Sequence, residues 1–185
     1  SFKEFLQFKA YSASDKVALN GLWREYVEFG GFPEIVKQKS DKLESLLRYF
    51  EDLMEKDLTR RYRVRKTDKI KELARFYLSN TAKLTTNASA GKFLGLSTDT
   101  TAKFAQYFAN AFLLSFVRRF SFNFKEREKS PRKVYAIDTG LAQAVGFEFS
   151  ENYGRYLENI VYLELLRRQA DNQKQEIYFW KDIQH

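Results

Sequence analysis

Apolar residues recur with helical spacing over most of this chain, and with alternating spacing in a few short stretches. Between 16 and 29 (KVALNGLWREYVEF), Val17, Leu22, Trp23, Tyr26 and Val27 fall near one helical face, and Gly30, Gly31 and Pro33 predict the end of that helix. Residues 41–58 carry the clearest pattern. Leu43, Leu46, Leu47, Phe50, Leu53, Met54 and Leu58 follow the i, i+3, i+4, i+7 rule, opposite Glu51, Asp52, Glu55 and Asp57, with Asp41 as the predicted N-cap. Residues 68–83 predict a further helix with Ile70, Leu73, Ala74, Tyr77 and Leu78 inward.

The next stretch is the most structured signature. A short helix (about 88–94) meets a turn at Gly95, and Ser97 or Thr98 caps a second helix to about Phe112, with Phe104, Tyr107, Phe108 and Ala111 inward. Two helices joined by a tight glycine turn predict a helix-turn-helix. LLSFVRRFSFNF then alternates Phe116, Phe120, Phe122 and Phe124 before a charged tip, EREKSPRK, and a second strand, KVYAI. Strands flanking a charged loop after a helix-turn-helix make a wing, so residues 68–138 predict a winged helix. Asp138-Thr139-Gly140-Leu141 closes this unit and starts a short helix. Residues 153–169 predict an amphipathic helix carrying Tyr156, Leu157, Ile160, Val161 and Leu165, and 176–181 (EIYFWK) predict a strand. This final helix and strand look like the opening of a separate α/β domain. The chain starts without Met and ends on the alternating run, so both ends read as cut.

Composition narrows the chemistry. The 185 residues are 44% hydrophobic, 17% aromatic and 30% charged, a globular balance with a large apolar payload. Cysteine is absent, which excludes disulfides, thiolate metal sites and cysteine nucleophiles. The single histidine, His185, excludes histidine-cluster metal sites and argues against an internal Ser-His-Asp triad. No apolar run approaches the ~18–20 residues of a membrane span, and SFKEFLQFKAY is not patterned as a signal peptide. The expectation is a soluble, cytoplasmic chain.

The net charge of +8 is concentrated. Residues 60–71 hold seven cations (Arg60, Arg61, Arg63, Arg65, Lys66, Lys69, Lys71) against Asp68 alone. Residues 118–133 hold Arg118, Arg119, Lys125, Arg127, Lys129, Arg132 and Lys133 against Glu126 and Glu128. Localised basicity of this kind is the electrostatic footprint of a nucleic-acid ligand. The second helix of the pair offers Lys103 as its one cation, with Gln106 and Asn110 as base readers. The bland reading is a solvated loop on a protein–protein module. SAGK at 89–92 is no phosphate loop, because no glycine precedes Lys92 at the spacing the first glycine needs and Phe93 stands where Ser or Thr belongs. Glu158 and Glu164 lie six apart on one helix and do not pair as acid and base. For Asp57 and Asp138 local capping or an ion pair is the default.

Five phrases in order carry a family resemblance: SFKEFLQF at 1–8, GGFPEIV at 30–36, YFEDLMEKDLTRRYRVR at 49–65, KVYAIDTGL at 133–141 and GRYLENIVYLELLRR at 154–168. The succession resembles the C-terminal portion of a family of prokaryotic, especially archaeal, AAA+-type P-loop ATPases. The resemblance implies a P-loop domain followed by a helical lid, a winged helix and a restriction-endonuclease-like α/β domain. It implies ATP and Mg²⁺ for the parent protein only, because no Walker A or Walker B segment is present in this chain. It places Arg60 and Arg61 near a nucleotide and Glu158 at the acidic position of the first nuclease-like helix. The Asp and Glu-X-Lys of that fold would come after EIYFWKD, so one carboxylate is left, too few for metal-dependent cleavage.

The expected fold is mainly α with small β: a helical lid remnant (1–66), a winged helix (67–146) and a truncated nuclease-like α/β element (147–185). The expected function is a non-catalytic accessory region of such an ATPase. It binds nucleic acid, DNA in the first instance, through Lys103, Gln106, Arg118, Arg119, Lys125, Arg127, Lys129, Arg132 and Lys133, coupled to motion of the ATPase core of the same chain. The alternative is a protein–protein or homo-oligomerisation module of the same ATPase. No membrane partner and no metal are expected.

Overall fold

The structure is a computed structural model and describes residues 1–12, 15–146, 153–171 and 174–181. It is mainly helical with one small antiparallel sheet. Three helices open the chain: α1 (Phe2–Phe8), α2 (Lys16–Phe29) and α3 (Pro33–Lys37). The Asp15 carboxylate caps α2 by accepting from the Val17 N–H at 2.8 Å. Gly30, at φ 76°, ends α2 in a conformation that only glycine adopts without strain, and Pro33 opens α3 at a position where its missing N–H costs nothing. Phe5, Tyr26 and Val36 form a small core here, flanked by Phe2, Leu22, Trp23 and, from the far end of the chain, Ile160.

The helix predicted over 41–58 is present, but it changes character. It runs as α4 (Lys42–Asp52) and continues without a break into π-helical turns over Leu53–Arg60. The i→i+5 bonding of a π segment shifts the phase of the apolar stripe. Leu53 and Leu58, five apart, are both buried with Met54; in α4 itself the packed face runs through Leu46 and Phe50, so Leu43 and Leu47, expected inward, are exposed. Asp41 is not a side-chain cap either. It takes a left-handed φ of 59°, and its carboxylate accepts from the Ser40 hydroxyl at 2.8 Å instead.

The sheet unit follows. Its elements are α5 (Thr67–Ser79), β1 (Leu84–Thr85), α6 (Asn87–Leu94), α7 (Thr98–Asn110), β2 (Leu114–Val117), α8 (Phe124–Lys129) and β3 (Arg132–Ala136). The strands are ordered β1-β3-β2, all antiparallel, with Leu114 opposite Ala136 and Leu84 opposite Lys133. Local signals set the α6–α7 turn as expected. Thr86 and Ser89 form a capping box, Gly95 turns left-handed at φ 67°, and the Ser97 hydroxyl accepts from Thr100 N–H at 3.2 Å. Gly91 lies against the Leu96 carbonyl and Thr101 Oγ1, where a Cβ would sit 2.7 Å from both. Tyr77, Phe108, Leu73, Leu113 and Val134 fill the core between α5, α7 and the sheet.

The hairpin differs from its prediction. The first strand stops at Val117, and the charged tip holds the helix α8. Asn123 Oδ1 accepts from the Lys125 and Glu126 N–H groups, Glu126 lies in the first turn, and Arg127 and Lys129 lie in the last, all favouring a helix. Of the alternating phenylalanines Phe116 lies in β2 and packs on Tyr77, but Phe122 and Phe124 are not on a strand and are 96% and 64% exposed.

α9 (Thr139–Val145) and α10 (Tyr153–Asp171) complete the helices. Val161 and Leu165 of α10, expected inward, are exposed, because the buried face is set by Asn159 and Tyr162. Asn159 is wholly buried. Its Oδ1 accepts from Ala136 N–H at 2.8 Å and its Nδ2 donates to Ala136 C=O at 2.9 Å, so one side chain extends the β3 ladder. The expected strand at 176–181 is reduced to one parallel bridge, Arg119 to Phe179, with Phe120 N–H donating to Phe179 C=O at 2.9 Å and Phe179 N–H to Arg118 C=O at 3.1 Å. Residues 182–185, including His185, lie outside the described residues.

Removing the Asn159 amide leaves both Ala136 backbone groups buried without a partner. Asn159→Ala is expected to cost about 2–4 kcal/mol in chemical denaturation; a loss below about 0.5 kcal/mol would show that α10 is not held by this contact.

Candidate nucleic-acid interface

Of the seven hairpin cations, five are engaged within the chain. Arg118 pairs with Glu128 at 3.0 Å, Arg132 reaches the same carboxylate at 3.9 Å, and Arg119 pairs with Glu126 at 3.3 Å. Arg127 donates to the Tyr178 hydroxyl at 3.3 Å and lies over the Phe124 and Tyr178 rings. Lys133 pairs with Glu158 at 2.7 Å. Lys125 and Lys129 are exposed on α8. The hairpin is also partly covered by the last described residues, with Phe120 against the Tyr178 and Trp180 rings. The sequence treats these seven as one basic patch; the folded chain divides them into an internal ion-pair network and two projecting lysines. Surface pairs of this sort contribute little stability, but they neutralise the charge a phosphate would meet.

α7 presents Lys103, Gln106 and Asn110 to solvent. The Gln106 amide donates to Asn110 Oδ1 at 2.8 Å, and the Asn110 amide reaches the Tyr62 hydroxyl at 3.4 Å. Tyr62 stacks flat on Tyr107 of α7, with centroids 3.8 Å apart and planes 9° from parallel. The basic segment after the π turns therefore lies against α7, a proximity with no local sequence signal. Arg60 is held by Glu55 at 2.5 Å, and the Arg61 guanidinium sits 5.8 Å from the Tyr62 ring centroid.

Glu158, the acid singled out on α10, accepts from Lys133 and from the Tyr135 hydroxyl at 2.6 Å. Burial, and then this bond to a carboxylate, raise the Tyr135 phenol above its ordinary range. Tyr135 stacks on Tyr162 at 4.2 Å. Glu158 thus docks α10 on β3. Among the described residues, no group of three or more His, Cys, Asp or Glu side chains is placed to hold a metal ion. The SAGK segment lies inside α6, with Gly91 packed on protein atoms, and does not form a phosphate cradle.

A buried carboxylate joins the N-terminal helices to the sheet unit. Asp138 caps α9, its Oδ1 accepting from Leu141 N–H at 3.1 Å, as the default reading has it. Its Oδ2 also accepts from Gly31 N–H at 2.7 Å, across 107 residues of sequence. Beside it, Thr139 Oγ1 and Gln143 Nε2 donate to the carbonyls of Tyr26 and Val27, at 3.4 and 2.6 Å, in the last turn of α2. Gly140 lets α9 meet the Phe29 backbone, where a Cβ would come within 2.2 Å. Burial pushes the Asp138 carboxyl up to about 6, against the pull of the backbone N–H groups of Gly31, Leu141 and Gly140. The neighbouring Tyr26 phenol is pushed up to about 12 by burial and the Asp138 charge.

Comparison with known proteins bears on this junction. A family model described as "Domain of unknown function (DUF8612)" matches residues 20–152, from α2 through α9. The chain belongs to the DUF8612 family. The DUF8612 region contains the whole three-stranded sheet and both halves of the Asp138–Gly31 contact, whereas Glu158 and Asn159 lie beyond it. An uncharacterized protein of the archaeon Methanocaldococcus jannaschii is 33% identical over 181 residues, 91% of this chain and 40% of its own length. An uncharacterized protein of Haemophilus influenzae is 30% identical over 174 residues, 91% of this chain and 43% of its own length. The chain spans about two fifths of the curated relatives it matches. No solved structure matches it. Among the described residues no helix is long and apolar enough to cross a membrane.

The raised Asp138 pKa fixes a sign. The proton is held more tightly in the folded chain than in an unfolded one, so this contribution to stability is complete below about pH 4 and is lost as pH rises through about 6. Asp138→Asn should remove the Tm slope between pH 4 and 6, and Asp138→Ala, which strands the Gly31 and Leu141 N–H groups, should cost about 2–4 kcal/mol at pH 7. An unchanged slope in Asp138→Asn would contradict the assignment.

Proposed function

We propose that residues 67–146 act as a winged-helix module that binds nucleic acid, with duplex DNA the favoured ligand, as an accessory region of a larger ATPase. One observation carries the reading: the order helix α5, strand β1, helices α6 and α7, then the β2–β3 hairpin, around a sheet ordered β1-β3-β2. That is the arrangement in which the last of three helices lies free to enter a major groove. Two further observations support it. α7 presents amides and a lysine to solvent, and the basic residues concentrate in two segments rather than spreading over the surface.

The ATPase part of the reading rests on the ordered phrases described above. The GGFP turn of the expected lid and the IDTG of the sheet unit are the two partners of the Asp138 contact. In this reading, movement of a lid attached at Gly31 is passed to the sheet unit through a rigid joint. The described residues form no phosphate cradle at SAGK, so no step of nucleotide chemistry is assigned to them.

An oligomerisation role is favoured by one feature, an apolar groove of about 750 Å³ between α5 and α6 lined by Phe76, Phe93 and Leu94, with Phe93 73% exposed. Gel-shift titration with duplex DNA, with light scattering alongside, separates the two. The proposal expects binding that weakens steeply between 50 and 200 mM salt, as phosphate contacts require. Absence of binding at low salt, together with a concentration-dependent dimer, would favour oligomerisation instead.

A further inference from the structure

Resting on that reading, we infer that the phosphate backbone of a DNA duplex is held by the segment 61–66 beside α7, and not by the arginines of the 118–133 hairpin. Arg61, Arg63, Arg65 and Lys66 are all exposed, and among the described residues none of the four has an ion-pair partner, whereas the adjacent Arg60 is neutralised by Glu55. The acids nearest in sequence, Asp57 and Asp68, form no ion pair with them.

The path of this segment is fixed by backbone and packing. Val64 N–H donates to Thr59 C=O at 3.0 Å, an i→i+5 bond that closes the π turns, and Arg63 takes a left-handed φ of 49°. π turns of this kind recur at functional sites. The turn drives Tyr62 onto Tyr107 and places its hydroxyl within 3.4 Å of the Asn110 amide. The Arg61 guanidinium lies 5.8 Å from the Tyr62 ring centroid and Lys103 Nζ 6.0 Å from that of Tyr107, so this aromatic stack stands between the start of the basic segment and the Lys103, Gln106 and Asn110 row. A major groove about 12 Å wide admits a helix such as α7 and is bordered by phosphates on both sides. Cations held one side-chain layer beside the helix fall where the bordering strand runs, while the Gln106–Asn110 amide pair faces base edges.

The hairpin offers less. Glu126 and Glu128 occupy Arg118, Arg119 and Arg132, Glu158 occupies Lys133, and Tyr178 covers Arg127. A phosphate at those five cations would have to displace partners already in place, which leaves Lys125 and Lys129 as the hairpin's two projecting charges.

The test is fluorescence anisotropy of the 185-residue chain with a labelled duplex of about 20 base pairs, titrated across 50–200 mM salt. The combined variant Arg61→Gln, Arg63→Gln, Arg65→Gln should bind more than tenfold more weakly at low salt. It should also flatten the slope of log K against log[salt] by about 3, one for each lost phosphate contact. Lysine at the same three positions should restore the slope. Lys125→Gln with Lys129→Gln should leave affinity within twofold, and circular dichroism melts report that each variant is folded. Loss of affinity in the hairpin variant, alone or equal to that in the segment variant, overturns this inference and leaves the nucleic-acid reading standing. A wild-type chain that does not bind the duplex overturns the reading and the inference together.

Discussion

One carboxylate governs how the two halves of this chain meet. Asp138 gives one oxygen to the start of its own helix and the other to a glycine turn more than a hundred residues earlier. The contact works because three glycines surround it. Gly30 would drive a Cβ to 1.9 Å from Asp138 Oδ1, Gly140 would collide with the Phe29 backbone, and Gly31 supplies the donating N–H. In the last turn of α2, the Val27 carbonyl is met by Gln143, and Thr139 adds a second donor to the Tyr26 carbonyl that Gly30 N–H already bonds. Burying a charged group is tolerated only when its hydrogen bonds are made. The helices before residue 30 and the sheet after residue 84 thus meet at one hydrogen-bonded joint.

Charge is sorted by the same logic of pairing. Acidic residues sit among the hairpin arginines and pair with them, while Arg119 and Arg127 reach the Lys181 carbonyl and the Tyr178 hydroxyl among the last described residues, the Arg127 guanidinium lying over the Phe124 and Tyr178 rings. Among the described residues Arg61, Arg63 and Arg65 have no carboxylate partner, and the Tyr62–Tyr107 stack ties their segment to α7. Two runs of similar composition therefore present different potentials to a ligand. The sequence does not separate them because Glu126 and Glu128 could equally have pointed to solvent.

Local signals were read well. The Gly95 turn, the Ser97 cap, the extent of α2 and the cap at Asp138 each depend on residues within four positions, where stereochemistry decides. Errors arose where distant atoms decide. Alternation of Phe116, Phe120, Phe122 and Phe124 suggested one long strand, but Asn123 caps a helix there. The apolar pattern placed Leu43 and Leu47 inward, whereas the packed face of α4 runs through Leu46 and Phe50. Asp41 had the residue type of a cap and the wrong backbone for one. The roles of Asn159 on Ala136, of Tyr62 on Tyr107 and of Asp138 on Gly31 have no local signature, since each partner is fixed only by the packed chain.

Hydrogen–deuterium exchange of the chain, with and without saturating duplex DNA, tests most directly whether this is a nucleic-acid-binding module with its ligand seated on α7. The account predicts slowed exchange in residues 61–66 and 98–110, with residues 118–133 unchanged. Protection confined to 118–133, or to the α5–α6 groove at Phe76 and Phe93, would contradict it.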